Sequence, residues 1–423
     1  MIILLIILFF LGYLLITLEH TIRLNKAATA LLTGVLAWTV YRLYSPAHEP
    51  VVEELTHHLA QIAEIAFFLL GAMTIVELID AHNGFQIITD RIRTRRIRTL
   101  FWVIGGITFV LSALLDNLTT AIVMASLLPK LIPFQKLRQL FAGIIILSAN
   151  AGGAWSPLGD VTTTMLWIGG QISTSAVVLT LILPSLVALI VPLLILHFRF
   201  SGPVEPVEAF RPESEASVTA RERNTMFLTG VGMLVMVPVF KVLTGLPPYL
   251  GMLLGLGTVW VMSEALHHRK DEEDRRPLSA AYALSKIDTG SILFFVGILL
   301  AIGALEAAGI LEQVAHWLDR NVASVELTTL VIGLASAVVD NVPLVAASMS
   351  MYSLKTFPQD HRFWHLLAYC AGTGGSLLLI GSAAGVAVMG IERLTFTGYL
   401  KQIGPLALAG YAAGALVLFW IVS

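Results

Sequence analysis

Long apolar runs, separated by short polar stretches, make up most of this chain. A run of about 20 apolar residues can cross the roughly 30 Å hydrocarbon core of a bilayer as an α-helix. Such runs recur at 2–19, 27–45, 58–80, 139–169, 174–198, 224–243, 249–266, 287–306, 363–391 and 398–422. The pattern therefore predicts an all-α polytopic membrane protein.

Two further apolar segments, 99–134 and 326–354, carry an Asp-Asn pair near the middle, Asp116–Asn117 and Asp340–Asn341. In a continuous helix the carboxylate would lie deep in the bilayer, at a cost of about 2.5–3.5 kcal/mol or more. If the chain instead reverses there, short polar side chains can cap the free backbone groups of two half-helices. Each arm has only about 17 residues, so we expect two re-entrant hairpins.

Glycine-rich stretches interrupt two of the longer runs. Residues 150–164 read NAGGAWSPLGDVTTT, and residues 372–385 read GTGGSLLLIGSAAG. Several glycines and a proline within one turn or two disfavour a continuous helix. We therefore predict discontinuous helices over 139–169 and 363–391, with unwound centres at these stretches.

The two halves of the chain repeat each other. The stretches at 66–85, 112–121 and 150–163 match those at 292–311, 336–345 and 372–385, in the same order and at nearly constant spacing. A Pro-, Glu- and Ser-rich segment separates the halves and is predicted to be a cytoplasmic linker. Each half makes five crossings, one of them discontinuous, plus a hairpin that returns to its own side. Because five is an odd number, the second half enters the membrane in the opposite sense. The prediction is an inverted-topology repeat with a site near the bilayer midplane, with repeats at 1–200 and 224–423 and the linker at 201–223.

The distribution of positive charge orients the chain, because Lys and Arg collect in cytoplasmic loops. With the N-terminus outside, all but five of the 26 basic residues fall on the cytoplasmic side. Both termini are then predicted to be periplasmic, and the basic run 91–98 is interpreted as a membrane-surface anchor rather than a nucleic-acid-binding segment. The five basic residues that fall on the outer side are Arg42, Lys241, Arg320, Lys355 and Arg362.

Composition supports the membrane assignment. The 423 residues are 57% hydrophobic and only 13% charged, and the mean hydropathy is +0.83. These values exclude a soluble globular chain. The single cysteine, Cys370, excludes an internal disulfide and a cysteine-based metal site, and we expect it to be a small core residue.

The hairpins and broken helices bring oxygen-bearing side chains toward one central region. Oxygen ligands without Cys or His suit a hard cation. Buried carboxylates that repel each other can exchange a proton for a cation, so cation and proton would compete for the same oxygens. The candidate cation and proton ligands are Asp116, Asn117, Thr119, Thr120, Asn150, Ser156, Asp160, Thr162, Thr163, Thr164, Asp340, Asn341, Ser376 and Ser382.

Four other ionisable residues are candidates for a proton pathway or for pH sensing. Glu64 and Glu77 lie in one apolar run, and Glu306 is the approximate counterpart of Glu77 in the second half. His82 follows the run that contains Glu64 and Glu77 and could titrate near neutrality. A solvated loop histidine is nevertheless the favoured interpretation. Interhelical polar contacts are the alternative for the three glutamates.

The motifs together resemble the NhaD-type sodium/proton antiporters, a branch of the ion transporter superfamily that also contains arsenite permeases and carriers of dicarboxylates and citrate. The resemblance rests on AEIAFFLLGAMTIVELIDAHNGF, LSALLDNLTTAIVM, NAGGAWSPLGDVTTTMLW and SAVVDNVPLVAA, and it covers about 55–420. It implies export of Na⁺ or Li⁺ coupled to proton entry across a bacterial inner membrane, and a homodimer with scaffold and transport domains. No cofactor and no enzymatic activity are implied. The expected Na⁺ ligands are Asp116, Asn150, Asp160 and Thr163.

The main rival is an arsenite, antimonite or organic-anion permease of the same superfamily. An anion carrier should have neutral hairpin tips or basic side chains at its site, whereas this site has carboxylates. An intramembrane aspartyl protease is a weaker rival, since its Gly-x-Gly-Asp motif is absent and it leaves the internal repeat unexplained. A channel would not need groups that titrate.

Overall fold

The computed structural model describes residues 1–45, 50–89, 92, 94–204, 218–321, 324–337, 341–378 and 382–422. In the first half the helices are α1 Ile2–Thr17, α2 Glu19–Ile22, α3 Lys26–Tyr44, α4 Val51–Ala81, α5 Gln86–Thr89, α6 Ile97–Leu115, α7 Asn117–Leu131, α8 Gln135–Ala154, α9 Val161–Ile168 and α10 Thr174–Arg199. In the second half they are α11 Ala220–Thr244, α12 Pro248–His267, α13 Glu272–Arg275, α14 Ala280–Lys286, α15 Thr289–Ala307, α16 Ile310–Asn321, α17 Val325–Ala335, α18 Asn341–Met351, α19 Arg362–Gly374, α20 Ala383–Glu392, α21 Phe396–Gln402 and α22 Gly404–Val422.

Helices account for nearly all the regular structure of the described residues, and seven of those helices are long and apolar enough to cross a membrane. Many of their large apolar side chains are exposed on the outer surface of the molecule, as expected where lipid replaces water. The prediction of an all-α polytopic membrane protein is confirmed. The seven helices are α4, α6, α10, α11, α12, α15 and α22.

The helices pack in two groups. In one group α3 packs against α15 and α4 packs against α12. In the same group α1 packs against α3, and α11 packs against α12. In the other, α6 packs against α8, α17 against α19, and α10 against α22. Each group therefore contains pairs that join the two halves of the chain, α3 with α15, α4 with α12, and α10 with α22. The core of the second group contains Trp167, Trp364 and Tyr369, all fully buried.

Contacts in the two halves correspond residue by residue. Ser112 Oγ donates to Ala149 O at 2.6 Å, and Ser336 Oγ donates to Ala371 O at 2.9 Å. Ser112 and Ser336 are separated by the same spacing as the repeated stretches, and so are Ala149 and Ala371. The corresponding helices therefore share a packing geometry as well as a sequence pattern, and the opposite membrane orientation of the halves stays a prediction.

The predicted break within 150–164 is confirmed, since α8 ends at Ala154 and α9 begins at Val161, but the glycines at the end of α8 do not unwind it. Gly152 and Gly153 are helical, and the break falls at Trp155–Asp160. A Cβ on Gly152 would lie 2.3 Å from Phe109 O of α6. Gly152 instead allows two helix backbones to approach closely, which is another use of a missing side chain.

The second half shows the same contact. Gly374, at the end of α19, would place a Cβ 2.3 Å from Gly333 O of α17. Cys370 of the same helix is fully buried, which confirms the prediction of a core position.

The helix after the linker begins earlier than predicted. Thr219 and Glu222 form a capping box, in which the Thr219 side chain accepts from Glu222 N and the Glu222 side chain accepts from Thr219 N. The reciprocal cap satisfies two backbone donors. For this reason α11 begins at Ala220, within the segment predicted as linker. Residues 205–217 of that segment lie outside the described residues.

Candidate functional site

Asp160 begins the second half of the broken helix α8–α9. Its carboxylate accepts from Thr162 N at 3.0 Å and from Thr162 Oγ1 at 2.9 Å, so it caps α9. Only 1% of Asp160 is exposed. The partial positive charge of a helix N-terminus favours an anion at this position. A negative charge can therefore be held in the apolar centre of the molecule.

Asp116 occupies the break between α6 and α7. Its backbone has φ 93° and ψ 158°, a region in which a non-glycine residue is strained. The carboxylate accepts from Thr119 N and Thr119 Oγ1, both at 2.8 Å. The strained backbone ends one helix and the side chain caps the next. Asp116 is close enough to Asp160 for the two negative charges to repel each other.

Amide side chains connect these groups to the second half of the chain. Asn117 Nδ2 donates to Asp160 Oδ2 at 3.0 Å and to Asn150 Oδ1 at 3.1 Å. Asn150 Nδ2 in turn donates to Ser376 Oγ at 2.8 Å and to Ser382 Oγ at 3.1 Å. All five side chains are buried. A continuous polar network thus crosses from the first half of the chain to the second.

The second half contributes neutral groups to the same centre. Asn341 Nδ2 lies 3.5 and 3.4 Å from the two carboxylate oxygens of Asp160. Ser382 caps α20 by accepting from Gly385 N, in the position that corresponds to Asp160. Asp340 lies outside the described residues, so its predicted role stays a prediction.

The other candidate hydroxyls surround this centre. Thr163 and Thr164 are buried in the first turn of α9, where Thr164 Oγ1 donates to Pro157 O at 2.8 Å. Ser156 Oγ donates to Ala113 O at 2.5 Å and so ties the break to α6. Thr120 Oγ1 is one of the buried hydroxyls with no hydrogen-bond partner among the described residues. Thr120 therefore has an oxygen lone pair to offer beside Asp116.

The predicted proton-pathway glutamates line two cavities. Glu64 and Glu306 line one cavity of about 380 Å³, and Glu77 lines another of about 540 Å³. His82 is fully buried, with its Nε2 2.8 Å from His267 Nε2. Burial lowers the pKa of His82 to about 4. The expected solvated loop histidine is therefore wrong, and the ring is neutral over the physiological range.

Sequence reasoning missed Lys241 of α11. Its Nζ donates to Trp167 O at 2.8 Å and lies 4.4 Å from the centroid of the Trp167 ring. The ammonium thus meets the C-terminal end of α9, while Asp160 caps the N-terminal end, and both charges complement the helix dipole. Lys241 was one of the few basic residues assigned to the outer side, and that exception was the available signal.

We expect Gly152→Ala to destabilise the region around the site. Its Cβ would lie 2.3 Å from Phe109 O, and overpacking of this kind costs about 1–3 kcal/mol. The melting temperature of the purified protein in detergent should fall. The matched control is Gly106→Ala on α6, where no described atom lies within 4 Å of an added Cβ. An equal loss in both variants would contradict the close-approach explanation.

This chain is similar to known proteins in both sequence and fold. Residues 13–358 match the protein-family model CitMHS, described as a citrate transporter. The fold is similar to the crystal structure of the Alcanivorax borkumensis YdaH transporter, described as having an unusual topology, with a TM-score of 0.62 at 12% identity over 94% of this chain and 98% of that chain. The class of protein is thus a multi-pass membrane transporter.

Full-length relatives define the family more narrowly. Sodium/proton antiporter 2 of Arabidopsis thaliana is 47% identical over 97% of both chains, and sodium/proton antiporter 1 of the same plant is 52% identical over 96% of this chain and 70% of its own. The Na⁺/H⁺ antiporter NhaD of Alkalimonas amylolytica is 32% identical over 98% of this chain and 89% of its own. The chain belongs to the NhaD-type sodium/proton antiporter family, as its motifs predicted.

Proposed function

We propose that this protein exchanges cytoplasmic Na⁺ or Li⁺ for external protons, and that Asp160 and Asp116 bind cation and proton in competition. The observation that carries this proposal is the Asp160 carboxylate, which is only 1% exposed and accepts hydrogen bonds from Asn117 and Thr162. A buried carboxylate gains stability from either a proton or a small cation.

Competition follows from the shared oxygens. A protonated carboxylate has lost the charge that binds a cation, and a carboxylate holding Na⁺ resists protonation. Binding of one ligand therefore releases the other, which couples the two gradients without a further device. The repulsion between Asp116 and Asp160 favours neutralisation of at least one of them.

The proposed set of ligands extends the pair of carboxylates. Asn150 and Thr163 complete the set expected for Na⁺, and the hydroxyls of Ser376 and Ser382 hold Asn150 in place. Hard oxygen ligands of mixed charge suit an alkali cation.

We further propose a homodimer in a bacterial inner membrane with both termini outside. Family members come from a plant as well as from bacteria.

The second candidate is transport of an organic anion, favoured by the description of the matching family model as a citrate transporter. Everted vesicles that contain the protein separate the two candidates. After acidification of their interior, addition of Na⁺ or Li⁺ should dissipate the pH gradient at neutral to alkaline pH. A response to citrate or arsenite without one to Na⁺ or Li⁺ would replace the antiporter by an anion carrier.

The same vesicles test competition. Below the pKa of a shared carboxylate, each unit fall in pH should raise the half-saturating Na⁺ concentration about tenfold, while the rate at saturating Na⁺ changes less. The reason is that cation must displace a proton whose occupancy rises with acidity. Initial rates over a matrix of pH and Na⁺ concentration measure both quantities. A half-saturating concentration independent of pH would exclude shared oxygens.

A further inference from the structure

Two cavities open beside the polar centre. The Glu306 cavity, of about 380 Å³, lies between α4, α15 and α18 and is lined by Glu64, Gly303, Glu306 and Ser350. The Asp80 cavity, of about 540 Å³, lies between α4, α7 and α14 and is lined by Glu77, Asp80, Ser126 and Lys286.

The internal repeat relates the two cavities. Asp80 and Glu306 are 226 residues apart, as are Glu77 and Gly303, and Ser126 and Ser350 are 224 apart. These are the spacings of the repeated words. The same positions of α4 and α15, and of the returning arms α7 and α18, therefore line both cavities.

One further wall corresponds, whereas Met165 and Ile168 of α9 line only the Glu306 cavity. His58 and Gln61 from the first part of the long helix α4 line the Glu306 cavity. In the second half, the corresponding stretch is the separate helix α14, whose Tyr282 and Lys286 line the Asp80 cavity. The internal repeat therefore forms the same kind of cavity twice.

The Asp80 cavity continues toward the polar centre along one face of α7. On α7, Ser126, Val123 and Thr119 follow one another at intervals of three or four residues and end at Asp116. Residues at that spacing share a helix face. Ser126 and Val123 line the cavity, and Thr119 binds the Asp116 carboxylate.

The face of α18 that runs from Ser350 toward Asn341 carries apolar side chains. Ser350 and Ala346 line the Glu306 cavity, and Val342 follows at the same spacing beside Asn341. Val342, Ala346 and Met165 of α9 are all buried in one apolar cluster. The walls that α9 and α18 give to the Glu306 cavity are therefore apolar at Met165 and Ala346.

We propose that the two cavities are the opposite mouths of one cation pathway, with Ser126 on its cytoplasmic part and Ser350 on its outer part. The charge-based topology places Lys286 inside and Arg320 outside, which assigns the Asp80 cavity to the cytoplasm and the Glu306 cavity to the outer side. The proposal rests on the proposed cation transport for its ligand class, hydrated alkali cations. The carboxylates at each mouth attract cations electrostatically.

Cysteine accessibility tests this assignment in the full-length protein. Ser126→Cys and Ser350→Cys are nearly isosteric, and the native Cys370 is fully buried. Membrane vesicles of both orientations are treated with a membrane-impermeant cationic thiosulfonate and with its anionic analogue. Ala125→Cys and Ser348→Cys are the matched controls, because these neighbours on the same two helices are buried and do not line the cavities.

We expect modification of Ser126→Cys only from the cytoplasmic face, modification of Ser350→Cys only from the outer face, and faster reaction with the cationic reagent. Each modification should abolish Na⁺-driven proton release, and both controls should stay unmodified. Modification of both serine variants from one face, of neither, or of both without loss of exchange would overturn the proposal. Absence of Na⁺ exchange in the unmodified protein would instead refute the proposed function and leave the sidedness result interpretable.

Discussion

Asp160→Asn should abolish Na⁺-driven proton release and leave the fold intact. Asn is as good a helix N-cap as Asp, so the hydrogen bonds to Thr162 that begin α9 are retained. The buried negative charge is lost, and removal of one partner from a buried ionic contact costs about 3 kcal/mol or more. We therefore expect the half-saturating Na⁺ concentration to rise about a hundredfold or more, measured as dequenching of a pH-gradient dye in everted vesicles.

The chain offers a matched control for this substitution. Asp360 is also a carboxylate that accepts from a backbone donor, since its Oδ1 accepts from Ser173 N at 2.6 Å, but it lies outside the polar network. Its φ of 61° is one that Asn tolerates well. Asp360→Asn should exchange Na⁺ at the wild-type rate. Wild-type exchange by Asp160→Asn as well would remove Asp160 from the cation site.

Loss of transport without loss of stability is the expected result for Asp116→Gly. Glycine adopts the φ of 93° without strain, which recovers about 1–3 kcal/mol and offsets the lost cap of about 1 kcal/mol. The variant should therefore melt no lower than the wild type, while the missing carboxylate stops exchange. Thermal melts in detergent and vesicle exchange rates are measured on the same preparation.

Asp116→Ala separates the two roles of this residue. Alanine keeps the strained backbone and lacks the cap to Thr119, so this variant should be both inactive and less stable than Asp116→Gly. Asp116→Asn keeps the cap and should also be inactive. Exchange by the Gly or Asn variant at the wild-type rate would restrict Asp116 to a structural role at the helix break.

Local chemistry made several features predictable. Asp116 and Asp160 stand where helices were expected to break, and both cap the helix that follows. Capping depends on residues within one turn, so the sequence carries the whole signal. Thr219 and Glu222 carried such a signal too, since a Thr followed by Glu three residues later is a capping box, and the assignment of 220–223 to the linker overlooked it.

Other features depended on partners distant in the chain. Gly152 has the residue type of a helix breaker, yet it remains helical because Phe109 O of another helix approaches it. His82 follows a helix and resembles a loop histidine, yet α12 supplies His267 and buries it. Neither partner could be identified from neighbouring residues.

The sequence by itself determined the membrane class, the two-fold internal repeat, the family and the polar residues of the candidate site. These properties follow from hydrophobic runs, short-range capping and repeated words, all of which are local along the chain. Only the tertiary structure decided that Asn117 and Asn150 join Asp160 to Ser376 and Ser382, that Lys241 meets the end of α9, and that two cavities flank the centre. The reason is that side-chain hydrogen bonds and cavities depend on distances between helices, and those distances are set by packing between residues 33 to 232 positions apart in these contacts.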